Sequence, residues 1–243
     1  MITITSGIFL LKYVNDPVLA DQKQQDDYDY YKLILDEEPS EKKEKEVKVI
    51  ETPLIQQLPE LPRGCEVTSL AMLLNSAGIS VNKLTLADEI KKDPTPYHKI
   101  NGQVHFGNPY EGFVGSMSNS NKPGYGVYHG PIYQLAKHYL PKAIDITGSS
   151  FNNIEEQLKD GHAVWVIVSI NYKKVNQTQW LTWYTPSGQV RITKKEHSVL
   201  LTGYDDQYVY VNDPLGTKPN KKVLKEDFIE AWEQFGAQAV SYK

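Results

Sequence analysis

A single cysteine, Cys65, among 243 residues leaves no room for an intramolecular disulfide framework or a cysteine-rich zinc site. There is no excess of basic charge either. Lys and Arg number 26 against 30 Asp and Glu, a net of −4, so no basic field exists to draw nucleic acid, and that partner class is excluded. No apolar run reaches the length of a membrane span, and no integral membrane segment is expected. The opening "MITITSGIFLLKYV" lacks a basic leading region and a small-residue cleavage site, so no signal peptide is readable. Phenylalanine is scarce, six residues against sixteen tyrosines. That balance suggests half-buried rings or a polar cleft lined with them.

What is present falls into two parts. "DEEPSEKKEKEVK", Asp36 to Lys48, carries ten charges in thirteen residues with mixed signs and reads as a solvated linker or frayed helix. Residues 1–46 are therefore set apart as a charged N-terminal segment, and 47–243 as the domain. "VKVIETPLI" opens that domain as a short strand. "CEVTSLAMLLNSAG" follows as a helix from Cys65 that buries one face, with Gly78 as its cap. Residues 93–130 are rich in glycine, proline and asparagine, a long loop of the sort that carries function. "HGPIYQLAKHYL" reads as a helix with Pro131 in its first turn. "NNIEEQLKDG" reads as another, with Asn152 and Glu155 as a capping box and Gly161 as the stop. Beyond it, "HAVWVIVSI", "QWLTWYT", "HSVLLTGY" and "QYVYVND" are β-branched and aromatic runs. "KEDFIEAWEQF" is a final helix and "AQAVSY" a closing strand. Helices followed by sequential strands predict an α+β fold with an antiparallel sheet.

The lone thiol sits where a proline-stiffened loop becomes a helix. A helix N-terminus or a nearby imidazolium lowers a thiol pKa toward the nucleophilic thiolate, and Gly64 allows close backbone approach. Without such partners Cys65 is a small buried hydrophobe. Of six histidines, His197 is the one with a partner in sight. "HSVLLTGY" and "QYVYVND" fold back on each other, which brings His197 to the end that holds Asn212 and Asp213. A histidine base needs such a group to fix its tautomer. A two-residue turn puts Asn212 on the His197 face, whereas a bulge puts Asp213 there. The register is open at this point, and charge favours Asp213. Gln56 or Gln57, upstream of Cys65, could join the Cys65 N–H as oxyanion donor.

"QLPELPRGCEVTSLAMLL", "NPYEGFVG…GYGVYHGPI" and "HSVLLTGYDDQYVYVNDPLG" together resemble the bacterial papain-like cysteine peptidases related to the double-glycine leader (bacteriocin-processing) peptidases. The resemblance covers about residues 47–243 and implies a papain-like fold, the Cys65 helix packed on a C-terminal antiparallel sheet. It implies Cys65 as nucleophile, His197 as base, Asp213 as orienting carboxylate and Gln57 as oxyanion donor, with no cofactor and no metal. Leader peptidases carry an acid before the nucleophile and a small residue after it. Here Arg63 and Gly64 precede and Glu66 follows, so the double-glycine substrate does not carry over. Gly64, Glu66, Tyr110, Glu111, Gly126, Tyr128 and His129, with Tyr125, form the expected substrate wall.

The expected activity is hydrolysis of a peptide-type bond in a peptide or protein substrate, through an acyl-enzyme. An acyltransferase using the same triad is the alternative, as is a catalytically silent peptide- or wall-binding module. The resemblance places the protein outside the cell or at its envelope. Oligomeric state is not written in the sequence.

Overall fold

The computed structural model describes residues 49–243; the expected charged segment 1–46 lies outside them. Five helices and twelve strands make up the described chain. The helices are α1 (Cys65–Ser76), α2 (Lys83–Glu89), α3 (His129–Tyr139), α4 (Phe151–Lys159) and α5 (Lys225–Glu233). The strands are β1 (Lys92–Asp93), β2 (His98–Ile100), β3 (Gln103–His105), β4 (Phe113–Val114), β5 (Ala143–Asp145), β6 (Val164–Ser169), β7 (Trp180–Thr185), β8 (Gly188–Thr193), β9 (Glu196–Tyr204), β10 (Tyr208–Asn212), β11 (Lys221–Leu224) and β12 (Ala239–Tyr242). The α+β expectation holds, with α1 packed on an antiparallel sheet.

That sheet has six strands in the order β11-β10-β9-β6-β12-β5, antiparallel at every pairing. Alternation along β6 divides its two faces. Trp165 and Ile167 join Leu200 and the apolar residues of α1, α2 and α3 in one core. Val164, Val166 and Val168 join Val199, Leu201, Val209 and Val211 with Phe228 and Trp232 of α5 in the other. Successive side chains point to opposite faces, so a strand buried on both sides must be apolar throughout. "VWVIVS" satisfies this, and all six residues are buried.

Helix α1 buries more than the one face expected. Every residue from Cys65 to Leu74 is buried, because the sheet, α2, α3 and the segment 50–55 surround it. Its polar residues are therefore inside. Ser69 donates to the Ser198 carbonyl at 3.1 Å, and the Trp165 indole donates to the Glu66 carbonyl at 3.0 Å. Gly78, at φ +80°, stands just beyond the helix end, where a left-handed residue is needed.

Three local expectations are corrected. The described part of "VKVIETPLI" forms no strand; the Ile50 N–H makes a single bond to the Thr202 carbonyl at 2.7 Å. The N-cap of α4 is Ser150, without a side-chain capping bond, so Asn152 lies inside the helix and the capping box does not form. The long loop 93–130 contains pieces of strand. β2 and β3 pair with each other, and β3 meets β7 to build a second, four-stranded sheet in the order β2-β3-β7-β8.

Candidate active site

The chain reaches the site through a loop that folds onto itself. Proline lacks an N–H and fixes φ, so the run from Leu58 to Pro62 leaves its carbonyls to be satisfied by neighbours. Gln57 does this. Its backbone carbonyl accepts from the Leu61 N–H at 3.0 Å, and its side-chain amide donates to the Leu61 and Pro62 carbonyls, each at 3.1 Å. Gln57 Oε1 is buried without a hydrogen-bond partner among the described residues. The amide expected as an oxyanion donor is thus occupied by the loop's own carbonyls.

Cys65 begins α1 directly after this loop and is only 7% exposed. Its thiol donates to Glu66 Oε2 at 3.3 Å. Burial pushes the thiol well above its usual range; the charges of Glu66 and Glu196 push in the same direction, and the Ser198 N–H pulls partly back. The helix end was expected to ionise this thiol. Burial first, and the two carboxylates after it, oppose that effect and favour the neutral S–H.

Those carboxylates form a buried pair. Glu66 Oε1 accepts the Val127 N–H at 2.8 Å, and Glu196 Oε1 is buried with no partner among the described residues. One ligand atom from each of Cys65, Glu66 and Glu196 lies within 4.8 Å of the others. Burial raises Glu66 to about 7. Burial, with the Glu66 charge next, holds Glu196 well above the ordinary range. Two carboxylates this close share a proton rather than ionise together. Among the described residues this trio could hold a metal ion, and an ion bound there would take up the thiol.

His197, 2% exposed, is the second residue of β9. Its Nε2 lies 2.8 Å from Asp213 Oδ1. The carboxylate only accepts, so Nε2 carries the proton and Nδ1 keeps the lone pair available for chemistry. Asp213 also accepts from the Tyr172 hydroxyl and from the Leu215 N–H at 2.9 Å. Burial alone would raise this acid, but the bonds and charge from His197 and the bonds from Tyr172 and Leu215 hold it well below the usual carboxylate range. Asn212 turns elsewhere, donating to the Thr52 carbonyl and accepting from the Asn220 N–H.

The strand register explains that choice. Val209 pairs with Tyr204 and Tyr210 with Gly203, a sum of 413; after a bulge at Thr202, Val211 pairs with Leu201 and Asn212 with Leu200, a sum of 412. Without the bulge, Asn212 would share the His197 face. The extra residue flips the alternation and brings Asp213 there instead. A bulge was one of the two expected cases, although the register differs from the sum of 410 that was considered.

Gln57, Cys65, Glu196 and His197 line one cleft of about 710 Å³. Of the expected substrate wall, Tyr125 lines it and the other seven residues do not. Gly64 is buried against Leu61. Glu66 lies beneath the cleft and is fully buried. Gly126 lies against Glu66, where a Cβ would come within 2.2 Å of Oε1. Tyr128 is 2% exposed and shares a hydroxyl hydrogen bond with Tyr125 at 2.8 Å. Tyr110 packs edge-on against Tyr128, and Glu111 accepts from Asn108. His129 forms a 2.6 Å pair with Asp145, its own Asp–His contact outside the cleft. Glu196 and Tyr172 were missed. Glu196 adjoins His197 on a strand, and alternation sends it to the opposite face, toward Glu66.

Comparison with known proteins agrees with this architecture. A model of the Peptidase C39 like family matches residues 49–240. An uncharacterized protein of Bacillus subtilis (strain 168), YvpB, is 51% identical over 183 residues, 75% of this chain and 70% of its own length. A crystal structure of a candidate C39-like peptidase from Bacillus anthracis superposes with a TM-score of 0.76 at 48% identity, covering 82% of this chain and 98% of its own. A double glycine motif protease from an AMS/PCAT transporter, solved with a leader peptide, aligns at a TM-score of 0.37 and 14% identity over 80% of this chain and 94% of its own, a likeness too distant to carry residue roles. Family membership implies cysteine peptidase activity, a hydrolase chemistry. The chain belongs to the Peptidase C39 like family.

Proposed function

We propose that the protein hydrolyses a peptide bond by acyl transfer through Cys65, His197 and Asp213. The observation that carries this reading is the His197–Asp213 bond, which commits Nε2 and frees Nδ1 at the cleft that Cys65 also lines. His197 Nδ1 takes the thiol proton as sulfur attacks the carbonyl, and the His197–Asp213 pair stabilises the imidazolium that results. The imidazolium then protonates the leaving amine, the C–N bond breaks, and a thioester remains on Cys65. Water, deprotonated by His197, attacks the thioester and restores the thiol. The Cys65 N–H, in the first helical turn where N–H groups lack intrahelical acceptors, suits the oxyanion. Gln57 can assist once its amide releases the Leu61 or Pro62 carbonyl.

Because burial favours the neutral thiol, transfer of its proton to His197 accompanies attack. Proton sharing between Glu66 and Glu196 limits the negative charge that opposes this. The test is incubation with a peptide library, with and without added amines, read by mass spectrometry. Free carboxylate products that vanish in Cys65→Ala and His197→Ala support hydrolysis. Amide adducts alone would move the assignment to an acyltransferase, and no product at all would leave a binding module.

A further inference from the structure

The cleft is faced by side chains that water does not favour. Leu181, Ile170, Leu215 and Tyr97 all line it, and each is between 41% and 47% exposed. The strand register makes part of this a continuous wall. Leu181 pairs with Ile192 across β7 and β8, and Trp183 pairs with Val190. Residues two apart on a strand share a face, so Leu181, Trp183 and Ile192 present one apolar surface, and all three line the cleft. Ile170 and Leu215 also line it, next to the strand ends that carry His197 and Asp213. A volume of about 710 Å³ falls within the range of sites that enclose large ligands, and two glycines would leave most of it empty.

Charge around the cleft argues the same way. Arg63 is committed to the carbonyls of Ser116, Asn119 and Ser120, and Lys194 also lines the cleft. The acid in the lining, Glu196, is turned toward Glu66 and Cys65, so no carboxylate there is set to receive a basic side chain.

We propose that this cleft selects peptides with a bulky apolar side chain, leucine-like or aromatic, beside the bond that Cys65 attacks; the inference rests on the peptidase reading above. Trp183 and Ile192 are buried and form the floor that holds Leu181 in place. Burial of such a side chain against the exposed Leu181, Ile170, Leu215 and Tyr97 removes apolar surface from water on both partners and positions the scissile carbonyl.

The test uses the full chain and quenched-fluorescence peptides of one frame, varied on either side of the bond among Phe, Leu, Gly-Gly, Lys and Asp. Apolar peptides are expected to exceed the glycine and lysine peptides by about tenfold or more in kcat/KM. Leu181→Lys is expected to cost the apolar peptides about tenfold while improving the aspartate peptide, a swap that misfolding would not produce. A flat profile, a Gly-Gly preference, or a Leu181→Lys profile equal to wild type would overturn the inference while leaving the peptidase reading in place. Failure to cleave any peptide above a Cys65→Ala control would overturn both.

Discussion

Cys65 and His197 differ sharply in their surroundings. The histidine has a charged partner, itself held by Tyr172 and the Leu215 N–H, while the thiol faces two acids with no cation paired to them among the described residues. Replacing His197 by Ala removes the proton acceptor and is expected to lower kcat about a thousandfold or more. Asp213→Ala is expected to cost less, about a hundredfold, and steady-state kinetics on one peptide ranks the two; full activity in Asp213→Ala would contradict its assigned role.

Glu66 gives a pH dependence with a defined sign. Its folded pKa is raised from an ordinary 4.5 to about 7, so the folded state holds a proton that the unfolded chain releases. The contribution of Glu66 to stability therefore falls as pH rises from about 4.5 to 7 and levels off above. Glu66→Gln should flatten that slope in urea melts, with Glu196 supplying what remains. Because the substitution also removes a negative charge beside sulfur, it should speed iodoacetamide labelling of Cys65 above pH 7. An unchanged slope and unchanged labelling would show that the pair is not titrating there.

At the scale of elements, the β9–β10 hairpin decides which acid serves. Thr202 occupies the bulge, and its one hydroxyl proton is shared between Asn220 Oδ1 at 2.8 Å and the Tyr210 carbonyl at 3.1 Å. Thr202→Val keeps the shape and loses both bonds. It is expected to destabilise the fold by about 1–2 kcal/mol and to lower kcat by disturbing Asp213, measured by urea midpoint and turnover. Unchanged values for both would place control of the register elsewhere. The hairpin itself was legible, since two β-branched runs flank an Asp-Asp turn. Whether it carries a bulge was left open, because Thr202 makes its contact with Asn220, which lies outside the hairpin. The segment 93–130 was read as loop for a similar reason: β2 and β3 are three residues each and draw support from β7 far along the chain. Its tyrosines could not be assigned to the cleft or the core from sequence, where both environments ask for the same ring.

At the scale of the molecule, the six-stranded sheet separates two apolar cores, and the Cys65 helix belongs to one while Tyr172, behind Asp213, belongs to the other. The site is assembled only when both faces are packed. Trp232, 1% exposed in the second core, should cost about 3–5 kcal/mol when cut to Ala, and turnover should disappear with the folded fraction in the same melt. The α+β class and the helix at Cys65 were readable from spacing and pattern; the hairpin brought His197 to Asn212 and Asp213 without choosing between them, and charge and the family resemblance favoured Asp213. The acid pair was not, since Glu66 and Glu196 are 130 positions apart (196 − 66) and nothing local marks them as neighbours. The central claim, that Cys65 carries the acyl group to water, is tested most directly by rapid quench of a cleaved peptide in ¹⁸O-water, followed by intact-mass analysis. The account predicts a transient adduct on Cys65 equal in mass to the acyl fragment, and one ¹⁸O in the released carboxylate. Cleavage that persists in Cys65→Ala, or proceeds with no acyl adduct on Cys65 at any quench time, would contradict it.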